Sequence, residues 1–133
     1  MENFAGSPTR RGFAEKDLRG WAEFLKHVHD HSGLGSALMV RGVMMKRKTI
    51  SELEAGLKTI PVPSLIVVGD QDEPCLEPWL FMKRHIPHAV FLALPMTGHT
   101  SNIEEPALFN QHVAEFPTSV ESGHCGTWKR ARR

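Results

Sequence analysis

The chain has only two cysteines, Cys75 and Cys125, too few for the disulfide framework of a small secreted fold. It also lacks any apolar run near the roughly 20 residues that span a bilayer. The longest runs lie around residues 65–68 and 89–94. No charged stretch at the N-terminus leads into an apolar one, so the expected compartment is the cytoplasm. A charge surplus is missing as well, since 16 Lys and Arg against 15 Asp and Glu leave a net +1. Basic residues do cluster: Lys129, Arg130, Arg132 and Arg133 at the end, and Arg10, Arg11, Lys46, Arg47 and Lys48 earlier. Such short clusters fit solvated loops and a tail, because a nucleic-acid footprint needs a continuous basic face. Neither nucleic acid nor a membrane is an expected partner.

What is present is ordinary globular material, with 133 residues of which 41% are hydrophobic and 23% charged, enough for one compact domain. Four segments are expected. Residues 1–12 are rich in Gly, Ser, Pro, Thr and Arg without apolar period, which predicts a loose leader that carries no chemistry. Residues 13–48 are expected to be a helical, lid-like segment and connection. Within them Leu18, Trp21, Ala22, Leu25 and Val28 follow the spacing of one buried helical stripe. Residues 31–48, with their glycines and methionines, are a connection or part of a lid. Residues 118–133 are a basic tail.

Residues 49–117 carry the clearest pattern. Thr49 stands three before Glu52, a capping box at the start of a helix that would bury Leu53, Leu57 and Ile60. Pro61 and Pro63 end it. The run Ser64-Leu-Ile-Val-Val-Gly69 is short, β-branched and apolar throughout, as a buried parallel strand should be. A helix over residues 78–85 and a second apolar strand over residues 89–94 follow. The last helix opens on Glu104, Glu105 and Pro106 and would carry Leu108, Phe109, Val113 and Phe116 inward. Strands alternating with helices predict an α/β fold with parallel strands flanked by helices. Two strands alone leave unpaired edges, so the pattern reads as one edge of a larger sheet, with possible self-association through the exposed edge.

In an open α/β sheet, functional groups gather beyond the carboxyl ends of the strands. The first strand delivers Asp70 and Asp72; the second delivers Gly98-His99-Thr100-Ser101-Asn102. A carboxylate beside an imidazole makes the acid and base pair of nucleophilic catalysis. The stretches Val62-Pro-Ser-Leu-Ile-Val-Val-Gly-Asp-Gln-Asp72 and Thr97-Gly-His-Thr-Ser-Asn-Ile-Glu-Glu-Pro106 together resemble the C-terminal part of the α/β-hydrolase fold family. That resemblance implies Asp72 as the catalytic acid and His99 as the base. It also implies a hydrolase acting on an ester, lactone or other small acyl substrate, with no cofactor.

The family's nucleophile elbow, Gly-x-Ser-x-Gly, does not occur. Ser36, in Gly33-Leu-Gly-Ser36-Ala-Leu, has the wrong glycine spacing and follows a helix. The expectation is therefore a fragment that supplies acid and base but no nucleophile, inactive alone and completed by an upstream half. The alternative is a non-catalytic binding or self-associating module on the same scaffold. Plainer roles remain open beside these: Asp72 as a helix cap, Asp70 as a turn residue, His99 as a loop histidine, Cys75 as a half-buried small residue near the pocket. His85 and His88 have metal-like spacing, but without nearby partners no metal site is expected.

Overall fold

A computed structural model describes residues 6–123. A 3-10 turn, Pro8–Arg10, leads into helix α1, Arg11–Lys16. Helix α2, Leu18–Asp30, starts where the Asp17 carboxylate accepts from the backbone N–H of Gly20 at 2.9 Å. Helix α3, Gly33–Met39, runs on as a π-helical turn, Val40–Met44. A 3-10 turn, Ser51–Leu53, opens the short helix α4, Glu54–Lys58. Then follow strand β1, Ser64–Gly69; helix α5, Glu73–His85; strand β2, Ala89–Leu94; the single turn α6, Ser101–Glu104; and helix α7, Pro106–Glu121.

β1 and β2 pair in parallel, from Ser64 opposite Ala89 to Gly69 opposite Leu94. Their carboxyl ends therefore finish level, and the loops beyond them start side by side. Leu57, Ile66, Ile86 and Ala89 form a buried cluster beneath the pair, with Trp79, Phe81, Met82 and Phe91 packed around it. Burying a side chain such as Ile66 contributes about 1.5–3 kcal/mol. A second, aromatic cluster ties α1 to α2: Phe13, 2% exposed, meets Trp21 edge-on at 5.6 Å and Phe24 at 6.0 Å.

Several expectations need correction. Residues 8–12 are helical and packed, because Arg10 and Phe13 bury themselves against the rest of the chain; residues 1–5 of the expected leader lie outside the described residues. So does most of the expected tail, while residues 118–121 belong to α7. α5 begins at Glu73 rather than at Pro78, since Pro74 sits in its first turn, where a missing N–H costs nothing. Pro106 likewise opens α7 separately from α6. Leu18, Leu53, Leu108 and Val113 are exposed rather than buried; a sheet of two strands among the described residues offers too little surface to cover so many apolar faces. The capping box is half formed: Glu52 accepts the backbone N–H of Thr49 at 2.8 Å, but the Thr49 hydroxyl donates to the same carboxylate.

Two glycines allow the strand ends to meet the loops. A Cβ on Gly69 would lie 2.2 Å from the carbonyl oxygen of Thr97, and one on Gly98 would lie 2.0 Å from that of Thr9. Both obstacles are backbone. Gly69→Ala and Gly98→Ala should therefore each cost about 1–3 kcal/mol of stability. Gly56, inside α4 with open space around it, should instead gain about 0.5–1 kcal/mol as Gly56→Ala. Urea midpoints of the three variants check the contrast.

Candidate active site

The loops beyond β1 and β2 are stitched together by main-chain hydrogen bonds. Asp70 N donates to Leu94 O at 3.0 Å, and Gln71 N donates to Thr97 O at 2.9 Å. The Asp70 side chain returns the link, its Oδ1 accepting from Thr97 N at 3.1 Å. Asp70 thus serves the turn. Asp72 stands at the N-cap position of α5, yet its carboxylate makes no capping bond. It turns into the crevice instead, where its Oδ2 lies 2.8 Å from Nδ1 of His99. A carboxylate can only accept here, so Nδ1 carries the hydrogen. Asp72 is almost fully buried, whereas the imidazole is 44% exposed.

His99 is held from three sides. Its backbone N–H donates to Thr9 O at 2.8 Å, so the N-terminal segment lies directly against the loop. The preceding N–H, of Gly98, donates to the buried carboxylate of Glu104 at 2.8 Å. Lys16 then fastens the far side: it donates to the Met96 carbonyl and to Glu105 at 2.8 Å, and stands 3.4 Å from Glu104. Met96 takes the left-handed conformation, φ +53°, that turns the chain from β2 toward His99.

An open cleft of about 330 Å³ lies over this pair, lined by Ser7, Thr9 and Arg10 on one side and by Asp72, Pro74, Cys75 and His99 on the other. Burial lowers the pKa of the Arg10 guanidinium, against the pull of Asp72 and Cys75, and the group stays charged. Its positive charge offsets the buried Asp72 carboxylate. The Cys75 thiol is pushed up to about 11 by burial first, and then by the Asp72 carboxylate as acceptor and as negative charge. At neutral pH it is a thiol rather than a thiolate.

The structure thus brings Asp72 and His99 together and places Cys75 beside them, with Sγ 3.8 Å from Nδ1. Ser36 lies inside α3, not on a strand-to-helix turn, and does not line the cleft. His85 is engaged elsewhere, donating from Nδ1 to Phe81 O at 2.7 Å with Nε2 at 3.5 Å from Glu54. Sequence reasoning missed Ser7, Thr9 and Arg10, since no periodicity marks so short a strap. It also read Glu104 only as a helix-start charge; a buried acceptor for a neighbouring main-chain N–H has no signature in sequence. No helix among the described residues is long and apolar enough to cross a membrane.

Parallel strands ending level, an acid beyond the first and a histidine beyond the second match the C-terminal portion of an α/β-hydrolase, and the chain has that fold. It is similar to a protein of Bacillus subtilis provisionally named 2-succinyl-6-hydroxy-2,4-cyclohexadiene-1-carboxylate synthase, with 31% identity over 88 residues, 66% of this chain. Among solved structures it is similar to MenH from S. aureus, with a TM-score of 0.79 and 22% identity over 89% of this chain. The chain spans 31% of the length of that curated relative and 44% of the solved chain. No protein-family model matches it.

The raised thiol pKa has a direct readout. In the folded chain Cys75 should react with iodoacetamide at neutral pH about tenfold or more slowly than in the urea-unfolded chain, as followed by mass spectrometry of its peptide. Because the folded pKa lies above the unfolded one, the associated stability is present below pH 9 and is lost as pH rises toward about 11.

Proposed function

We propose that this chain supplies the acid and the base of an α/β-hydrolase-type active site acting on a small acyl compound such as an ester or lactone, in the cytoplasm. The observation that carries the reading is the 2.8 Å bond from His99 Nδ1 to the buried Asp72 carboxylate at the mouth of an open cleft. Asp72 fixes the tautomer, leaving Nε2 as the basic nitrogen, and steadies the positive charge that His99 gains when it takes a proton from the nucleophile. When the leaving group departs, His99 returns that proton. The nucleophile and the donors for the oxyanion come from a partner portion upstream of the acid, in keeping with the family's order of nucleophile, acid, histidine. The name of the Bacillus subtilis relative makes the reaction that it denotes the first to assay in a completed enzyme.

A second reading draws on a different observation. Leu34, Leu38, Val43 and Met45 on the α3 side are 60–75% exposed, and the sheet has two strands among the described residues. Such surfaces suit self-association through apolar face and sheet edge, with the acid and base pair idle.

The chain alone should show no turnover of a small activated ester, since losing one oxyanion donor already costs about 10²–10³ in rate. Stoichiometric fluorophosphonate labelling of a serine in it would contradict this. Joined to the N-terminal part of the Bacillus subtilis relative, it should restore that relative's activity. Asp72→Asn and His99→Ala in the joined protein should then each lower kcat by about 10³–10⁴-fold. A joined protein whose activity is indifferent to both substitutions would eliminate the catalytic reading and leave the self-associating one.

A further inference from the structure

Cys75 has no task in acid and base catalysis, yet it stands where a third ligand would. One ligand atom each from Asp72, Cys75 and His99 lies within 4.8 Å of the others, at the wall of the open cleft. Asp72 is 4% exposed, and its Oδ1 makes no hydrogen bond of standard geometry among the described residues. A buried carboxylate oxygen left in that condition carries an unrecovered desolvation cost, and a cation beside it removes that cost. We propose that Asp72, Cys75 and His99 form a three-ligand site for a soft divalent cation of the Zn²⁺ class, with the cleft supplying access for a fourth ligand from solvent.

The distances suit the ion. Zn–N and Zn–O bonds near 2.0–2.1 Å and a Zn–S bond near 2.3 Å place tetrahedral ligand atoms about 3.3–3.6 Å apart. The observed separations are 2.8 Å for Nδ1 to Oδ2 and 3.8 Å for Sγ to Nδ1, and all three ligand atoms lie within 4.8 Å of one another, so side-chain shifts of about half an ångström to one ångström bring them onto the ion. The short pair opens when the shared hydrogen leaves, and the long pair closes on the metal. Asp72 and Cys75 sit three residues apart at the start of α5, a rigid mount for two of the three ligands.

The proton balance is simple. Coordination converts the Cys75 thiol to thiolate and releases one proton to solvent. A neutral His99 keeps its single proton but moves it from Nδ1 to Nε2, because the metal takes the Nδ1 lone pair. The same move removes the basic nitrogen that proton abstraction requires, so the ion and the base function exclude each other. Arg10 lines the cleft, and Arg47 also acts on the thiol electrostatically. These charges oppose a cation held by charge alone, such as Mg²⁺. Thiolate and imidazole select instead for Zn²⁺, Co²⁺ or Cd²⁺.

The inference stands on side-chain geometry and does not rest on the hydrolase reading. Its test uses the full chain as Cys125→Ser, so that Cys75 is the single thiol. Co²⁺ should bind one to one, with thiolate-to-metal charge-transfer absorption that Zn²⁺ displaces and Mg²⁺ does not. Adding Cys75→Ser should abolish that absorption, and His99→Gln should weaken binding by about tenfold or more. Stoichiometric Zn²⁺ should also shield Cys75 of the unsubstituted chain from alkylation, a readout that needs no variant. Charge-transfer absorption that survives Cys75→Ser, or alkylation of Cys75 unchanged by Zn²⁺, would overturn the site. Neither measurement involves turnover, so its failure leaves the proposed function standing.

Discussion

The carbonyl oxygen of Thr9 lies 2.0 Å from where a Cβ of residue 98 would stand, and the docking of the N-terminal segment against the His99 loop depends on this contact. Only glycine lets the N-terminal segment come that close. Once there, Thr9 O takes the His99 N–H, and Arg10 is carried toward Asp72. The same loop is fixed from the opposite side by Glu104 through the Gly98 N–H. His99 is therefore held by its own backbone between two elements far apart in sequence, while Asp72 sets its ring. The side chain needs no packing of its own, which is why the imidazole can be half exposed and still have one orientation.

Two buried carboxylates are the electrostatic cost of this arrangement, and each is met differently. Glu104 receives a main-chain N–H and stands within reach of Lys16, so its charge is compensated by a donor and a cation at the rim. Asp72 receives one charge-capable donor, His99, with the Arg10 charge and the Cys75 thiol nearby. Its two oxygens are unequal in consequence. Oδ2 is committed to the imidazole, whereas Oδ1 is buried without a bond of comparable quality. That asymmetry makes the base function and the cation site alternatives at one carboxylate rather than neighbours.

Much of this was legible in the residues. Both strands fall at residues 64–69 and 89–94, as their apolar runs indicate, because a continuous apolar run bounded by proline and glycine leaves little doubt about its ends. The meeting of Asp72 with His99 follows from parallel strands ending level, a matter of register and topology rather than of fine packing. Asp70 could be separated from Asp72 because two residues of loop turn the side chains to different partners. The strap of residues 7–12 was not legible. Its role rests on the Thr9 carbonyl, one buried arginine and a glycine eighty-nine positions beyond Thr9, and close approach between remote segments has no local pattern. The exposed faces of Leu18, Leu108 and Val113 were misread for the opposite reason, since periodicity marks an apolar face but does not say what covers it.

These two kinds of residue separate cleanly in space. The groups that define the cleft sit at the carboxyl ends of β1 and β2 and on the strap, and their hydrogen bonds close among themselves. The exposed apolar side chains, Leu34, Leu38 and Val43 on the α3 side and Val90 on β2, take no part in those bonds. Covering them would add burial worth about 25 cal/mol per Å² without moving Asp72 or His99. The geometry of the acid and base is thus a local property of two strand ends, set by glycines and main-chain bonds. The remaining apolar surface governs how firmly that local arrangement is supported. The contacts that position the polar loops run among the strand ends, the strap and Glu104, and not through that apolar surface.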